Sequence, residues 1–384
     1  MKFSILALAS AYSASAAVIG ERATYRVSGA AEGFAKGTTG GGNAPCAVPS
    51  SVAQLTAWLT DSTPRCIILD KEFNYIGTEG RATETGCRPS SNTCPGKGQD
   101  AINSASWCTN GNAGAGVKSV SVTYDKAGVK AINVASNKSI IGVGSKGVLR
   151  GKGLRIANGA RNVIIQNIHI TQLNPQYIWG GDAITLNGAD LVWIDHVKIS
   201  LIGRQMFVAG YEASGRVTIS NSEFDGQTSW SASCDGRHYW TILLLGGSDM
   251  ITLKGNYIHH TSGRSPKIGG NTLLHAVNNY WYSNTGHAFD NEAGGQVIAE
   301  GNVFQNVATP LKTNKGHFFA SPSTTTNTAC KNYLGHNCQL NAFGSSGSFP
   351  GTDTSFFNNF KGKNIASAGK ASSNIASTAG VGKI

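Results

Sequence analysis

The stretch VWIDHVKISLIGRQMFVAGYEASGRVTISN, residues 192–221, opens and closes on one pattern. VWIDH from Val192 and VTISN from Val217 both read apolar, any, apolar, polar, then polar or small. Five further runs fit the template on either side: IIGVG from Ile140, VIIQN from Val163, ITLKG from Ile251, LHAVN from Leu274 and VIAEG from Val297. The steps between successive starts are 23, 29, 25, 34, 23 and 23. A period of roughly 23 residues marks a solenoid whose insertions gather at one corner.

Local chemistry selects the kind of solenoid. Period-2 alternation with β-branched and aromatic residues makes strands, not helices. Asn or Gly near the end of many runs suits left-handed corners, where an L residue with a larger side chain is disfavoured. Three short strands in each repeat make a parallel β-helix, with Asn side chains stacked as a ladder at one corner. A β-sandwich would show spacings of about 8–12 residues and hairpin dipeptides instead.

The ends read as caps. SSVAQLTAWLTD, residues 50–61, has a Ser N-cap and an apolar stripe at Val52, Leu55 and Leu59, so it predicts a short helix over the open first coil. A strand, CIILDKEF, follows. Regular coils are expected over roughly 120–310, and from about 345 a polar tail carrying SFFNNF is expected to pack on the outside. Its last fifteen residues are expected to be mobile.

Residues 1–16 read as a secretory signal: Lys2, an apolar FSILALASAY, then Ala14-Ser15-Ala16 as a small-x-small cleavage site. Residues 17–384 are then one exported β-helix domain, without membrane insertion. Forty-nine Gly, against roughly 27 at average usage, favours an all-β chain over two ordinary domains. Eight Cys in an exported chain suit four disulfides, although the count alone permits 105 pairings. Thirty-two Lys and Arg against 21 Asp and Glu give +11, a field that attracts polyanions. Outside a cell these are acidic polysaccharides; nucleic acid is not expected.

A filled β-helix core leaves an outer sheet face and its long loops for chemistry. The two longest intervals hold NPQYIWGGDAITLNGAD (174–190) and DGQTSWSASCDGRHYW (225–240). Asp195 in WIDH, Arg216 at the next run, and Arg264 with Lys267 after the ITLKGNYIHH run fall one and two repeats apart. Coils stack about 4.8 Å apart, so these residues are expected to gather as an electropositive pocket around one carboxylate. A ladder of surface ion pairs accounts for the same residues and would be worth little.

WGGDAITL, VWIDHV, KGNYIHHTSGRSPK and LLHAVNNYW closely resemble the pectin lyases of polysaccharide lyase family 1. GHAF, AEGNVFQNV, VSGAAEGFAKGTTGGG, SNKSIIGVGSKGVLRGKGLRI, FGSSGSF and GKNIASA extend the resemblance over essentially the whole mature chain. It implies a right-handed, single-stranded parallel β-helix and eliminative endo-cleavage of methyl-esterified α-1,4-galacturonan, with highly esterified pectin as partner, a monomer, and no cofactor. It places the catalytic arginine at Arg264, a supporting acid at Asp195 and a second arginine at Arg216. Lys267, Trp107, Trp193, Tyr239 and Trp240 are implied substrate contacts, Trp193 being the one packing explains best. An arginine acting as base must lose a proton it normally keeps, which neighbouring cations and lost solvent would promote.

The resemblance also suggests disulfides Cys87–Cys108, Cys94–Cys234 and Cys330–Cys338, leaving Cys46 and Cys66 to pair. Asn137-Lys138-Ser139 is the sole N-x-S/T sequon and a candidate glycosylation site. No metal is expected: His259, His260 and His275 lack ligand spacing, and Gln205 and Ala209 stand where related calcium enzymes carry acids, leaving Glu212. The alternatives are a calcium-dependent pectate lyase, a hydrolase, which would need paired acids, and a non-catalytic polysaccharide-binding solenoid.

Overall fold

The computed structural model describes residues 25–384, so the signal segment at 1–16 lies outside the described residues. Each regular coil visits three faces in turn. Sheet 1 has ten strands, among them Lys138–Gly142, Arg161–Gln166, Asp190–Asp195, Arg216–Ser220, Met250–Lys254, Leu273–Val277 and Gln296–Glu300. Sheets 2 and 3 belong to one fifteen-stranded array. Sheet 2 includes His169–Leu173, Lys198–Ile202, Glu223–Asp225 and Tyr257–His259, and sheet 3 includes Leu154–Ala157, Ile184–Asn187, Phe207–Ala209, Ile242–Leu244 and Lys267–Ile268. The long strand Tyr280–Asn291 joins them, pairing with Tyr257–His259 through its first three residues and with Lys267–Ile268 through its last two. Every pairing among these strands is parallel.

The repeat template is the inward column of sheet 1. Val163, Val192, Val217, Ile251, Leu274 and Val297 stand in register and are fully buried. The first interval differs from expectation: Val163 pairs with Lys138, and Ile140 pairs with Ile165. A slip of two residues keeps the same side chains inward, so periodicity does not detect it.

Corner chemistry follows the expected pattern. Asn167, His196, Asn221, Gly255, Asn278 and Gly301, just after successive strands of sheet 1, all have positive φ. The next turn carries a buried ladder. Asn256 donates its backbone N–H and side-chain amide to Asn279 Oδ1 at 3.0 and 2.9 Å, and Asn279 does the same to Asn302 at 2.9 and 3.1 Å. Each amide also donates to a carbonyl of sheet 1, as Asn279 does to Leu253. Turn groups that would be orphaned in the interior are thus satisfied.

Helix α1, Val52–Thr60, has Ser51 as N-cap, its side chain accepting from Gln54 N, and buries Leu55 and Leu59 against the first coils. An N-terminal arm crosses the outer face of sheet 1: Phe34 N and Ala35 N donate to the hydroxyls of Thr252 and Thr218. At Gly33 a Cβ would lie 2.3 Å from Thr252 Oγ1, so only glycine allows this approach. Phe356, Phe357 and Phe360 of the tail pack beside Phe34, Ile298 and Phe319. The last residues are not loose ends: Gly380 N donates to Asn221 O and Gly382 N to Asn167 Oδ1. The four disulfides are Cys46–Cys66, Cys87–Cys108, Cys94–Cys234 and Cys330–Cys338.

Candidate active site

Four loops between sheets 2 and 3 carry the site: 174–183, 203–206, 226–241 and 260–266. The first and third are the long intervals seen in the sequence. Backbone bonds stack them coil on coil: Ala183 N donates to Gln205 O, Met206 N to Trp240 O, and Ile242 N to Arg264 O. Trp179, Asp182, Arg204, Tyr239, Trp240 and Arg264 therefore reach the same edge of sheet 3.

Asp182 and Arg204 form an ion pair at 3.6 Å, each side chain keeping about a fifth of its surface (22% and 20%) at the floor of the site. The Arg204 guanidinium also lies 3.6 Å from the Trp179 ring centroid. Burial raises the Asp182 carboxyl, against the opposing pull of Arg204 and the Gln205 N–H. Burial likewise lowers the Arg204 guanidinium; Asp182 opposes that, and the like charge of Arg264 adds to it. These are the two directions that desolvation and a second cation impose.

Arg264 sits 4.7 Å from the ring centroid of Trp240 and 5.6 Å from that of Tyr239. Its backbone is left-handed, φ 45°, and its N–H donates to His287 Nε2 at 3.3 Å. A left-handed backbone at a residue with a long side chain costs about 1–3 kcal/mol and is characteristic of functional positions. Among the described residues no carboxylate pairs with Arg264. Lys267, by contrast, is 3.1 Å from Glu292 and 3.5 Å from Asp290. It shares the outward row of sheet 3 with Thr185, Val208 and Leu243.

The structure does not bring Asp195 and Arg216 to this place. Both are on sheet 1. Asp195 is buried and accepts from Gln166, Ser220 and Asn221 at 2.6–3.0 Å and from His196 at 2.7 Å. Burial works against its ionisation, but the hydrogen bonds of His196, Ser220 and Gln166 prevail and hold it below the usual carboxylate range. The arm closes over this network, Ser28 N donating to Gln166 Oε1. Arg216 makes its ion pair with Asp190, on which its Nε sits at 3.0 Å, at the start of the strand. Coil spacing says how near two stacked residues lie, but not which of three faces they share with a third.

Trp193 is also corrected. Only 4% exposed, it packs under Ala31 and Ala35 and donates its indole N–H to Ser220, so it presents no ring to a ligand. Ala209 points into the core. Gln205 is fully buried with its amide lacking a protein partner, while its backbone N–H holds Asp182 Oδ1 at 2.8 Å.

Trp107, Tyr239 and Trp240 do lie on the site side. Trp107 and Trp240 share an apolar cluster with Trp179, Ile178 and Cys108. This cluster is built where a separate sheet (Arg81–Arg88, Lys118–Asp125, Asp100–Ala101, Tyr177–Ile178) joins the loop 174–183, and Cys94–Cys234 ties that region to the loop 226–241. A cavity of about 430 Å3 opens there, lined by Ile102, Tyr124, Trp179, Asp182 and Arg204 among others. Asp182, Arg204 and Trp179 were missed in the sequence reading, although they stand in the quoted WGGDAITL and in the IGRQM that follows WIDH.

The three histidines weighed as metal ligands each have a side-chain partner. His275 bonds buried Glu300, and His259 bonds Glu223 and His260. Glu223, Asp225 and His259 converge closely enough for a cation, but the Lys198 ammonium lies 2.9 and 3.0 Å from the two carboxylates and is that cation. Asn137 is half-buried at a left-handed corner, its Oδ1 accepting from Asn162.

The family model described as pectate lyase matches residues 105–384. Pectin lyase B of Emericella nidulans is 60% identical over 364 residues, covering 93% of this chain and 94% of the relative. A probable pectin lyase A of Aspergillus oryzae is 59% identical with the same coverage. Among solved structures, a Bacillus pectate lyase in complex with trigalacturonate superposes with a TM-score of 0.55 at 19% identity, covering 92% of this chain and 99% of the other. The cedar pollen allergen jun a 1 gives 0.57 at 18% identity, covering 91% and 92%. At such identities these two speak for the parallel β-helix fold alone.

Proposed function

The chain belongs to the pectin lyases of polysaccharide lyase family 1, and on that premise we propose how its own side chains carry out the reaction. It is a polysaccharide lyase acting on pectin. Eliminative cleavage breaks the C5–H bond of a galacturonate, forms the C4=C5 double bond and expels the C4 glycosidic oxygen. The barrier lies in removing a carbon-bound proton and in the negative charge that then develops on the carboxyl carbonyl.

Arg264 is the group we place at the C5 hydrogen, and Arg204 the group at the carbonyl oxygen. The observation carrying this is that two guanidinium groups share one cleft in unequal states. Arg204 is held by Asp182 at 3.6 Å and stacked on Trp179, whereas the Arg264 guanidinium lies by the rings of Trp240 and Tyr239 and pairs with no carboxylate among the described residues. A fixed cation already aimed at developing enolate charge lowers the barrier without reorganising. Asp182 orients Arg204; Tyr239, Trp240 and Trp107 offer faces to sugar rings and ester methyls.

The substrate form we propose is methyl-esterified, cut within the chain and without calcium. An ester carries no charge to neutralise, and the outward row beside Asp182 offers Thr185, Val208 and Leu243. A calcium ion demands six to eight oxygens, several from carboxylates. Asp182 alone does not meet that need, and Arg204 stands beside it. We also propose that the enzyme is exported through residues 1–16 and acts as a monomer. The test is initial rate on highly methylated pectin, read by ultraviolet absorbance of the unsaturated product, with and without chelator. Undiminished rate in chelator is expected. Activity that vanishes and returns with added calcium overturns the reading in favour of a calcium-dependent enzyme.

A further inference from the structure

Two fully enclosed side chains outside the reacting groups converge on the same two residues. Gln99, 1% exposed, comes from the region joined by Cys94–Cys234. Its amide nitrogen donates to Pro175 O at 2.8 Å and Gly203 O at 2.9 Å, and its oxygen accepts the indole N–H of Trp240 at 3.0 Å. His238, 3% exposed, comes from the loop 226–241. Its Nε2 is 2.8 Å from Arg204 O and 3.0 Å from Trp240 O. Both partners are carbonyls, which only accept, so Nε2 must carry the hydrogen.

The consecutive carbonyls of Gly203 and Arg204 are thus each held by a buried side-chain donor, while Trp240 is held at its indole N–H and at its carbonyl. We propose that Gln99 and His238 are positioning residues that act together as a clamp, fixing the Arg204 guanidinium relative to the Trp240 ring on which Arg264 rests. The proposal rests on the assignment of Arg204 and Arg264 to the reaction.

Three consecutive coils meet in this clamp. The backbone of His238 continues it: its N–H donates to Gly226 O, and its carbonyl accepts from Ser262 N, two residues before Arg264. Losing either side chain strands buried partners, the Trp240 indole in one case and the Arg204 carbonyl in the other. The consequence of interest is geometric. A displacement of about 1 Å between reacting groups costs on the order of 100-fold in rate, while binding along a polymer, spread over many contacts, changes less.

The test compares Gln99→Met, His238→Ala, His238→Gln, the double variant Gln99→Met/His238→Ala, and Arg204→Leu on methylated pectin. Each of the first two is expected to lower kcat roughly 10- to 100-fold with KM within about threefold, at temperatures where circular dichroism shows them folded. The Gln side chain at 238 has two donors for the two carbonyls, so it is expected to recover most of kcat. The double variant is expected to be no slower than the worse single one by more than about threefold, because one broken side already frees the clamp. Wild-type kcat in Gln99→Met and His238→Ala, or independent multiplication of their losses in the double variant, overturns the proposal. If His238→Ala does not fold, His238→Asn, too short to reach the carbonyls, takes its place, and equal kcat for Asn and Gln overturns it. Arg204→Leu separates the two levels: full activity there removes the underlying assignment, whereas an inactive Arg204→Leu beside fully active clamp variants removes only the clamp.

Discussion

Replacing Arg204 by leucine is the substitution on which the site assignment turns. At 3.6 Å and an effective dielectric near 20, the attraction between Arg204 and Asp182 is about 5 kcal/mol before desolvation is subtracted. Removing one partner of a buried pair costs about 3–5 kcal/mol when the other charge stays stranded. Here the loss is smaller, because burial already raises the Asp182 carboxyl and the acid takes up a proton once its cation is gone. The melting temperature should therefore fall without loss of the fold. Turnover should suffer more: deleting one preorganised donor to a developing oxyanion costs about 100- to 1,000-fold in kcat. Arg204→Lys keeps the charge but not the planar group on Trp179, and should fall between. The control is Arg216→Ala. That side chain is 43% exposed and paired with Asp190, a contact worth about 0–1 kcal/mol, so kcat should stay within about twofold. The assay is initial rate of unsaturated product on methylated pectin, with circular dichroism melts. If Arg204→Leu retained more than a tenth of wild-type kcat, or Arg216→Ala fell as far, the charge argument would be refuted.

Other outcomes can be stated briefly. Replacing Cys94 and Cys234 by serine opens a link spanning 140 residues; a loss of about 2–5 kcal/mol in urea unfolding and a raised KM are expected, since the Trp107 and Trp240 loops are then joined only by weaker contacts. Asn279→Ala should cost roughly 2–4 kcal/mol, because Asn256 and Leu253 lose buried partners; a variant as stable as wild type would mean the ladder is not needed. Burial pushes His169, His238 and His287 each down to about 4 from an ordinary 6.5. A folded value below the unfolded one means their contribution is complete above about 6.5 and lost as pH falls from there toward 4. Asp249, pushed up to about 6 by burial, runs the other way and loses its contribution as pH rises through 6. Asp182, also raised by burial, acts in the same direction as Asp249, and three histidines against two acids should still lower the melting temperature between pH 6.5 and 4; a flat profile across that window contradicts the histidine burial.

Sheet 1 was legible because its inward residues, Val192, Val217, Ile251 and Leu274, are few in kind and strictly periodic. The left-handed corners and the Asn ladder were legible for a similar reason: each position tolerates few residue types. Arg264 was singled out by the resemblance, and Tyr239 and Trp240 came with the long intervals, whose loops stack along one edge of sheet 3. Asp182, although inside the first of those intervals, and Arg204 did not stand out, since loop residues share no period, and Asp195 and Arg216 were drawn in by their well-aligned strands and by the resemblance. What sets Asp195 apart from the site is non-local. Ser28 reaches Gln166 across 138 positions of sequence and Ala35 reaches Thr218 across 183. No pattern within a repeat announces that a distant arm will lie over that face.

The course of the two described chain ends has a practical consequence. The arm from Tyr25 runs on sheet 1, and the final residues fasten to Asn221 and Asn167 at its border, leaving Ile384 half exposed. Neither end passes over Arg204 or Arg264. A tether attached at the carboxyl terminus would hold the enzyme by its flank, with the cleft still open for a long polymer to lie across it, so immobilised material should go on cutting in mid-strand.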